Sequence, residues 1–357
     1  MATPGGRTSS PRVVFVYPTP RRGLAAEVAA GRAPDTTLLG QNHLEELGLR
    51  AAIHDPALGP AGRRFLRRAL WSFREIPLPW ELGAADVVFT PLAGLFPLAG
   101  RFRPRQRVVV VNYGLCTIWE RSGWARRRLL AASLRSAAAI ICLGSWQRDQ
   151  LLRQTGLPPE RIATVRLGVD ERYFAPQAPA TGADPLVLAV GRDLARDYGT
   201  FAEAVGSLGV RAEIAALPHN VEGIRLPPRV RARWVGPDEL RALYREAACV
   251  VVPQRRIDYP YGSEGGGLTA LLEAMAMARP VVASNRPILH DYVADGESAL
   301  FVPPEDPDAL RAGIERVLGD RALASALGTA ARRRVEGGLT TRHFARGIAP
   351  ILRAAVE

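Results

Sequence analysis

Short apolar runs alternate with helix-like segments along the whole chain, and this alternation restricts the fold more than any other feature. The runs are rich in Val and Ile and occupy residues 12–17, 86–91, 107–112, 138–144, 186–191, 211–216, 249–253, 279–284 and 299–303. Helical periodicity occupies residues 36–48, 200–209, 238–248, 268–278 and 306–319. Strands that are apolar on both faces are typical of parallel sheets covered by helices on both sides. The sequence therefore predicts the α/β class.

The length and one Pro/Ala-rich segment predict two domains. A chain of 357 residues is too long for one ordinary core. Residues 174–185 combine Pro, Ala and Gly, which is typical of a linker. We expect one domain over residues 1–176, a second over residues 177–335, and a C-terminal helix over residues 336–357. Both domains are predicted to be doubly wound and Rossmann-like, facing each other across a cleft with ligands at the carboxyl ends of the strands.

The basic charge of the chain is confined to its first half. The net charge is +12 and every basic residue other than histidine is arginine; residues 1–176 carry 25 arginines against 13 acidic residues, and the remainder carries 22 of each. Such an asymmetry indicates an anionic partner of the first domain. Residues 62–73 and 124–135 read as basic amphipathic helices, and residues 101–107 as a basic loop. A membrane surface and an ordinary arginine-rich solvent face both explain these helices.

The N-terminal segment predicts a cytoplasmic protein. It is polar and lacks the apolar core and small-residue cleavage site of a signal peptide. The sequence contains no charge-free run of 18 or more apolar residues, so no membrane-spanning helix is expected. A peripheral position on the inner face of the membrane is the alternative that the basic helices leave open.

A glycine-rich turn is the strongest local indication of a ligand. It stands directly before the helical pattern of residues 268–278, within the segment from Tyr261 to Asp306. Glycine lets the backbone approach a ligand closely, and the N–H groups at a helix start favour anions. The predicted anion site comprises Gly265, Gly266, Gly267, Leu268 and Thr269. Glu273 lies one turn inside the same helix, where its carboxylate has two acceptor oxygens for a vicinal diol.

Residues 138–340 carry a series of motifs in a recognisable order. They are RIATVRLGVDERYFAP, LAVGRDLARDYGTFAEA, ELRALYREAACVVVPQ, GLTALLEAMAMARPVVAS and DYVADGESALFVPPEDPDALRAGIERVL. The chain thereby resembles the family 4 glycosyltransferases of the GT-B fold, also described as glycosyl transferases group 1. The resemblance implies an acceptor-binding first domain, a donor-binding second domain and a final helix that crosses back to the first.

The resemblance assigns roles to three charged residues. Glu273 matches the second glutamate of the family's Glu-x7-Glu motif, which binds the ribose hydroxyls. Arg192, directly after the strand end at Gly191, matches the arginine that binds the donor diphosphate. The family's lysine a few residues later is replaced in this chain, and Arg196 is its best stand-in, so the two guanidiniums are expected to neutralise the diphosphate. A solvated Arg196 is the alternative.

The chain departs from the family at the first motif glutamate. The position eight residues before Glu273 is Gly265, and the nearest glutamate is Glu264. One alternative is a loop with one extra residue, from which Glu264 still reaches the donor sugar and acts as a catalytic residue. The other is recognition of the sugar by the backbone amides of Gly266, Gly267 and Leu268.

Contacts to the sugar or acceptor in the first domain are predicted in two loops. The loop around Gly23 is expected to close over the donor phosphates, with Arg21 and Arg22 available for anions. Asn112 and Tyr113 stand where relatives often place a histidine near the donor sugar. A turn-forming Asn112 is an equal alternative.

The resemblance implies retaining transfer of a sugar, a hexose or a related one, from a nucleotide-sugar donor to a hydroxyl acceptor. The acceptor is a glycan, a lipid-linked molecule or a natural product, and is expected to be anionic or membrane-associated. Neither a protein nucleophile nor a metal or other cofactor is required, and Asp306 and Asp308 read as a helix start. The base is expected to bind near residues 235–237, through backbone groups. A catalytically weak GT-B partner subunit and, less favoured, a nucleic-acid-binding protein are the alternatives; the sequence leaves the base, the sugar and the oligomeric state open.

Overall fold

The computed structural model describes residues 10–55, 82–91, 96–99, 106–177 and 184–357. The basic stretch predicted as a helix over residues 62–73 lies outside the described residues, as do nearly all of the basic loop 101–107 and the middle of the predicted linker. The structure therefore does not address these three predictions.

The first half of the chain forms a six-stranded parallel sheet in the order β2-β1-β3-β4-β5-β6. Its strands are β1 (Arg12–Val16), β2 (Arg50–His54), β3 (Val87–Thr90), β4 (Arg107–Asn112), β5 (Ala139–Cys142) and β6 (Ile162–Thr164). The α-helices among the described residues of this half are α1 (Arg22–Ala29), α2 (Phe96–Ala99), α3 (Leu115–Glu120), α4 (Trp124–Ser136) and α5 (Ser145–Thr155).

The second half forms another six-stranded parallel sheet, in the order β12-β11-β10-β7-β8-β9. Its strands are β7 (Leu186–Val190), β8 (Arg211–Ala215), β9 (Val230–Arg233), β10 (Ala247–Val252), β11 (Val281–Ser284) and β12 (Leu300–Val302). Its helices are α6 (Tyr198–Gly206), α7 (Pro237–Glu246), α8 (Leu268–Ala276), α9 (Pro307–Gly319), α10 (Arg321–Gly338) and α11 (Thr341–Ala354). Two parallel sheets flanked by helices confirm the predicted α/β class with two Rossmann-like units.

The apolar runs became buried strands because both faces of each sheet are covered. Every residue of β3, β7 and β11 is buried. The predicted helix start at Asp306 is also confirmed, since its carboxylate accepts a hydrogen bond of 2.8 Å from Ala309 N.

The helix predicted over residues 36–48 was wrong. The segment forms three single turns of 3-10 helix, Thr36–Leu38, Gln41–His43 and Glu45–Leu47. Leu39 and Gly40 interrupt it with φ angles of 53° and 73°. The spacing of the apolar residues fits an α-helix. However, the left-handed backbone conformation of Leu39 and Gly40 interrupts the hydrogen bonds that an α-helix requires.

The last helix, α11, packs on this irregular segment of the first half. A Cβ added at Gly40 would lie 2.9 Å from the Cβ of Ala345. Thr341 and His43 both contact the buried carboxylate of Asp35, with Oγ1 at 3.0 Å and Nε2 at 2.9 Å from Oδ2. The C-terminal segment thus contacts residues from both halves of the chain.

Candidate active site

The strand order of the second sheet locates its ligand crevice. The chain runs outward from β7 through β8 to β9, returns to the other side of β7, and continues from β10 to β12. The connections after β7 and β10 therefore leave the sheet in opposite directions, and the carboxyl ends of these neighbouring strands open a crevice. The predicted arginines follow β7 and the glycine turn follows β10, so both lie at this edge.

The side chain of Arg196 lies at the end of β7, in space that is free because residue 191 is a glycine. Gly191 has a φ of 143°, and a Cβ there would overlap the Arg196 guanidinium. Arg196 is only 7% exposed. Its Nε and Nη1 are buried and donate to no acceptor among the residues that the structure describes. A buried guanidinium with two unpaired N–H groups is a strong donor for an anion at the crevice, and the solvated alternative for Arg196 was wrong.

Arg192 lies in a different environment from Arg196. Its side chain is exposed, and its guanidinium carbon lies 5.5 Å from the centre of the Trp234 ring. Trp234 is itself 54% exposed. The indole orients the arginine through a cation–π contact while leaving its donors open to a ligand.

The glycine turn is packed so closely that side chains are excluded. Gly267 has a φ of 95° and forms the N-cap of α8. A Cβ at Gly266 would lie 2.9 Å from the carboxyl carbon of Asp193. Asp193 in turn accepts hydrogen bonds of 3.0 Å and 2.9 Å from the Ser263 backbone N–H and hydroxyl. Gln254 completes the support by donating to the Gly266 carbonyl at 2.5 Å.

The helix start predicted beside this turn is present. The first two residues of α8 differ in exposure: Leu268 is buried in the core, whereas Thr269 is exposed to solvent. Gly265 has the Tyr113 carbonyl oxygen 3.5 Å from its Cβ position, so the turn lies against the first domain.

Glu273 lies within the buried part of α8, 7% exposed. Its Oε2 accepts a hydrogen bond of 2.9 Å from the Tyr244 hydroxyl. Burial raises the pKa of Glu273 to about 7, against the opposing effects of the Tyr244 hydrogen bond and of the positive charges of Arg196 and Arg192. The carboxyl group therefore lies within the electrostatic range of both arginines.

Glu264 is turned away from the second domain. The side chain is 1% exposed. Its carboxylate accepts hydrogen bonds from Thr117 Oγ1 at 2.7 Å, Cys116 N at 3.1 Å and Thr117 N at 3.3 Å. Gln147 Nε2 lies 3.4 Å away. The carboxylate therefore satisfies N–H groups in the first turn of α3 and joins the glycine turn to the first domain.

The structure corrects two expectations for the first domain. Asn112 has no exposed surface, and its Oδ1 accepts hydrogen bonds from Gly114 N at 3.1 Å and Leu115 N at 2.8 Å. This is the turn-forming alternative, which leaves no surface for a sugar. Gly23 belongs to α1 and not to a loop, and in the described part of the chain no atom outside its own helix lies within 4 Å of its Cβ position.

Arg21 and Tyr113 remain at the cleft. The N–H of Arg21 at the start of α1 donates to Asp55 at 2.7 Å, while its side-chain Nε is buried and has no partner within the described ranges. Burial lowers the pKa of Arg21, and the positive charge of Arg192 lowers it further. Burial raises the pKa of Tyr113, and Arg21 opposes this effect. Cationic groups from both domains therefore face one another.

Sequence reasoning missed Gln254 and Arg286. They follow β10, which pairs with β7, and β11, which is the next strand beyond β10. Arg286 is 2% exposed, with Nη1 donating to the Arg255 carbonyl at 2.6 Å and Nε unpaired. Burial lowers the pKa of Arg286. Their position directly after predicted strands was the available signal, because carboxyl ends of neighbouring parallel strands converge on one edge.

The described ranges contain no group of three or more His, Cys, Asp or Glu side chains arranged to hold a metal ion. Within the same ranges, no helix combines the length and apolarity needed to cross a bilayer.

Comparison with known families agrees with this arrangement. The model described as Glycosyltransferase Family 4 matches residues 12–173, and that described as Glycosyl transferases group 1 matches residues 228–334. The O-antigen chain mannosyltransferase B of Escherichia coli is 29% identical over 56% of this chain and 58% of its own length. The lipopolysaccharide core mannosyltransferase LpcC of Rhizobium leguminosarum is 30% identical over 52% of this chain and 58% of its own length. The matched region thus spans little more than half of these relatives.

Solved structures extend the likeness of fold to almost the whole chain. Sucrose-phosphate synthase from Thermosynechococcus elongatus has a TM-score of 0.72 at 21% identity, covering 96% of this chain and 98% of that one. Anabaena HepE in complex with UDP-glucose has a TM-score of 0.69 at 13% identity, covering 96% and 99%. These likenesses confirm the predicted GT-B architecture. With both family models matched in chain order, this chain is a member of the group 1, family 4 glycosyltransferases.

Proposed function

We propose that the protein is a retaining glycosyltransferase that moves a sugar from a nucleotide-diphosphate donor to a hydroxyl group of its acceptor. The supporting observation is the pairing of two buried groups at one crevice: the Arg196 guanidinium with two unpaired N–H groups, and the Glu273 carboxyl group whose pKa is raised to about 7. A nucleoside diphosphate has an anion for the first group and ribose hydroxyls for the second.

The proposed roles follow from the chemistry of each group. Arg192 and Arg196 bind the diphosphate and stabilise the negative charge that grows on it as the glycosidic bond breaks. Glu273, when ionised, accepts hydrogen bonds from the ribose hydroxyls. The glycine turn lies at the sugar end of the donor, where the Gly267 amide is the proposed contact, because the N–H of Gly266 donates to the Ser263 carbonyl at 3.1 Å and that of Leu268 to the Gly265 carbonyl at 3.5 Å. The leaving diphosphate accepts the acceptor proton, so the proposal requires no protein nucleophile and no metal.

The acceptor and the cellular site are also part of the proposal. The positive charge of the first half suits an anionic or membrane-associated acceptor at the cytoplasmic face of a membrane. A hexosyl donor is the first to test, because two relatives are named as mannosyltransferases.

The test begins with thermal shift against UDP-, GDP-, ADP- and dTDP-sugars, followed by kinetics with the donor that stabilises the protein. Glu273→Ala is expected to lose most donor binding, whereas Arg192→Ala loses chiefly turnover. Glu203→Ala, on the exposed face of α6, is the control and retains both. Unchanged kinetics in the first two variants would reject the proposal.

An assay of donor hydrolysis in the absence of acceptor distinguishes an active transferase from a catalytically weak partner subunit. An active transferase hydrolyses its donor slowly when only water is available as acceptor. A protein that binds the donor tightly and releases no free sugar would be a binding subunit.

A further inference from the structure

Large apolar side chains lie exposed on one face of the first domain. Trp124, at the start of α4, is 76% exposed, and Leu129 in the same helix is 46% exposed. Ile118 in the preceding helix α3 is 36% exposed. A highly exposed tryptophan near other exposed apolar side chains is typical of a surface that contacts a partner or a membrane.

The same face of α4 is basic. At 100° per residue, Arg128 and Arg135 lie on the same side of the helix as Trp124, and both are exposed. The helix sequence WARRRLLAASLRS contains no acidic residue. Beside this face, an open depression of about 560 Å³ is lined by three arginines together with Trp119 and small or polar residues of α4 and α5. The three arginines are Arg127, Arg128 and Arg135.

The second domain continues this surface across the mouth of the cleft. Arg121, three residues before Trp124, donates to the carbonyl oxygens of Tyr259 and Gly262 at 3.4 Å. In that loop Tyr261 is 58% exposed, and its ring lies 5.7 Å from that of Tyr259 in an edge-on arrangement. We call the following groups of α3, α4, the turn between them and this loop the cleft rim: the exposed Ile118, Arg121, Trp124, Arg128, Leu129, Arg135 and Tyr261, and the half-buried Tyr259.

We propose that the cleft rim docks the protein on an anionic lipid bilayer. Tryptophan and tyrosine partition to the boundary between headgroups and acyl chains, while arginines pair with lipid phosphates. The excess positive charge of the first half adds long-range attraction to such a surface. In this orientation α4 lies along the membrane. Its first turn, with Trp124 and the neighbouring Arg121, brings the mouth of the cleft to the surface, whereas Arg135 contacts lipid about 16 Å further along the helix.

The experiment is vesicle flotation with the full chain and no substrate. The vesicles contain phosphatidylcholine alone or phosphatidylcholine with phosphatidylglycerol. We expect binding only to the anionic vesicles, with affinity falling as salt is raised. Arg128→Glu/Arg135→Glu is expected to lose at least about 25-fold in affinity, since each arginine near an anionic surface contributes roughly fivefold and each new glutamate adds repulsion. Trp124→Ala retains the charge and is expected to bind several-fold more weakly.

Arg321→Glu/Arg333→Glu is the control, because it makes the same charge change at exposed positions of α10 in the second domain. It is expected to retain vesicle binding. Failure of the wild-type chain to bind anionic vesicles, or equal loss in both double variants, would overturn the proposal. Tighter binding to duplex DNA than to vesicles would also overturn it and assign the rim to nucleic acid. Nucleotide-induced thermal shift on the same samples reports the proposed donor site separately, so either proposal can fail alone.

Discussion

Glu273 combines a buried carboxyl group with a pKa raised to about 7, so its protonation changes near neutral pH. Its ionised form is the one that accepts two ribose hydrogen bonds. As the pH is raised towards 7, the affinity for a nucleoside diphosphate is therefore expected to increase by up to about tenfold per pH unit. Above pH 7 the affinity is expected to level off. Calorimetric titrations from about pH 5.5 to 8.5 measure this, with Glu273→Gln as the control that shares the titration of the nucleotide itself. A parallel pH dependence in both proteins would contradict the assignment.

The same pKa has an opposite consequence for the unliganded fold. The folded state holds the Glu273 proton more tightly than the unfolded chain does. Protonated Glu273 therefore contributes to the free energy of unfolding. This contribution is fully present below the pKa of Glu273 in the unfolded chain, near 4.3, and is lost as the pH rises through its folded-state pKa of about 7.

Glu264 allows the two alternatives for the sugar end of the site to be separated. Removing its carboxylate leaves the buried N–H groups of Cys116 and Thr117 without an acceptor, which costs about 1–3 kcal/mol. Glu264→Ala is therefore expected to lower the melting temperature by a few degrees without nucleotide present. Glu264→Gln keeps an acceptor oxygen and is expected to lose less. An unchanged melting temperature with impaired donor hydrolysis would instead assign Glu264 to the sugar.

The sequence predicted which residues lie at the crevice better than it predicted their surroundings. Arg192, Arg196, Glu273 and the glycine turn lie there because motifs fix their positions after β7 and β10. The direction in which Glu264 points was not predictable, because its partners on α3 are about 147 residues away in the chain. Local spacing contains no information on which domain a loop carboxylate contacts.

At the scale of elements, the strands in the sheet interiors were predictable and most of the edge strands were not. The predicted apolar runs all contain strands of the structure. The three strands that were missed, β2, β6 and β9, each lie at the edge of a sheet. Edge strands bury less, as in β9, whose residues alternate between buried or half-buried and exposed. A shorter or more polar sequence satisfies such a position, so hydrophobic runs do not reveal it.

The joint between β6 and α11 is an element-scale feature that a single methyl group should disrupt. Val169 forms an isolated bridge with Thr340. A Cβ at Gly168 would overlap the Thr340 carbonyl group. Gly168→Ala is expected to cost about 1–3 kcal/mol by forcing the two segments apart, measured by thermal denaturation. Gly337→Ala, with no atom within 4 Å of its Cβ position in α10, is the control and should be neutral or slightly stabilising. Equal melting temperatures of the Gly168→Ala and Gly337→Ala variants would show that the two segments can separate without loss of stability.

At the scale of the whole molecule, α11 makes the stability of the first domain depend on the end of the chain. Its Phe344, Ile348 and Leu352 are at most 1% exposed and belong to one buried cluster that contains residues of both sheets. Deleting residues 341–357 removes roughly 5 kcal/mol of stabilising free energy, because burial of each large apolar side chain contributes about 1.5–3 kcal/mol. The full chain is expected to melt in one transition, and the truncated chain in two, with nucleotide raising only the upper one. Arg342→Ala, which loses only the exposed ion pair to Glu46, should melt like the full chain. A single unshifted transition after truncation would mean that the two domains are stable independently of α11.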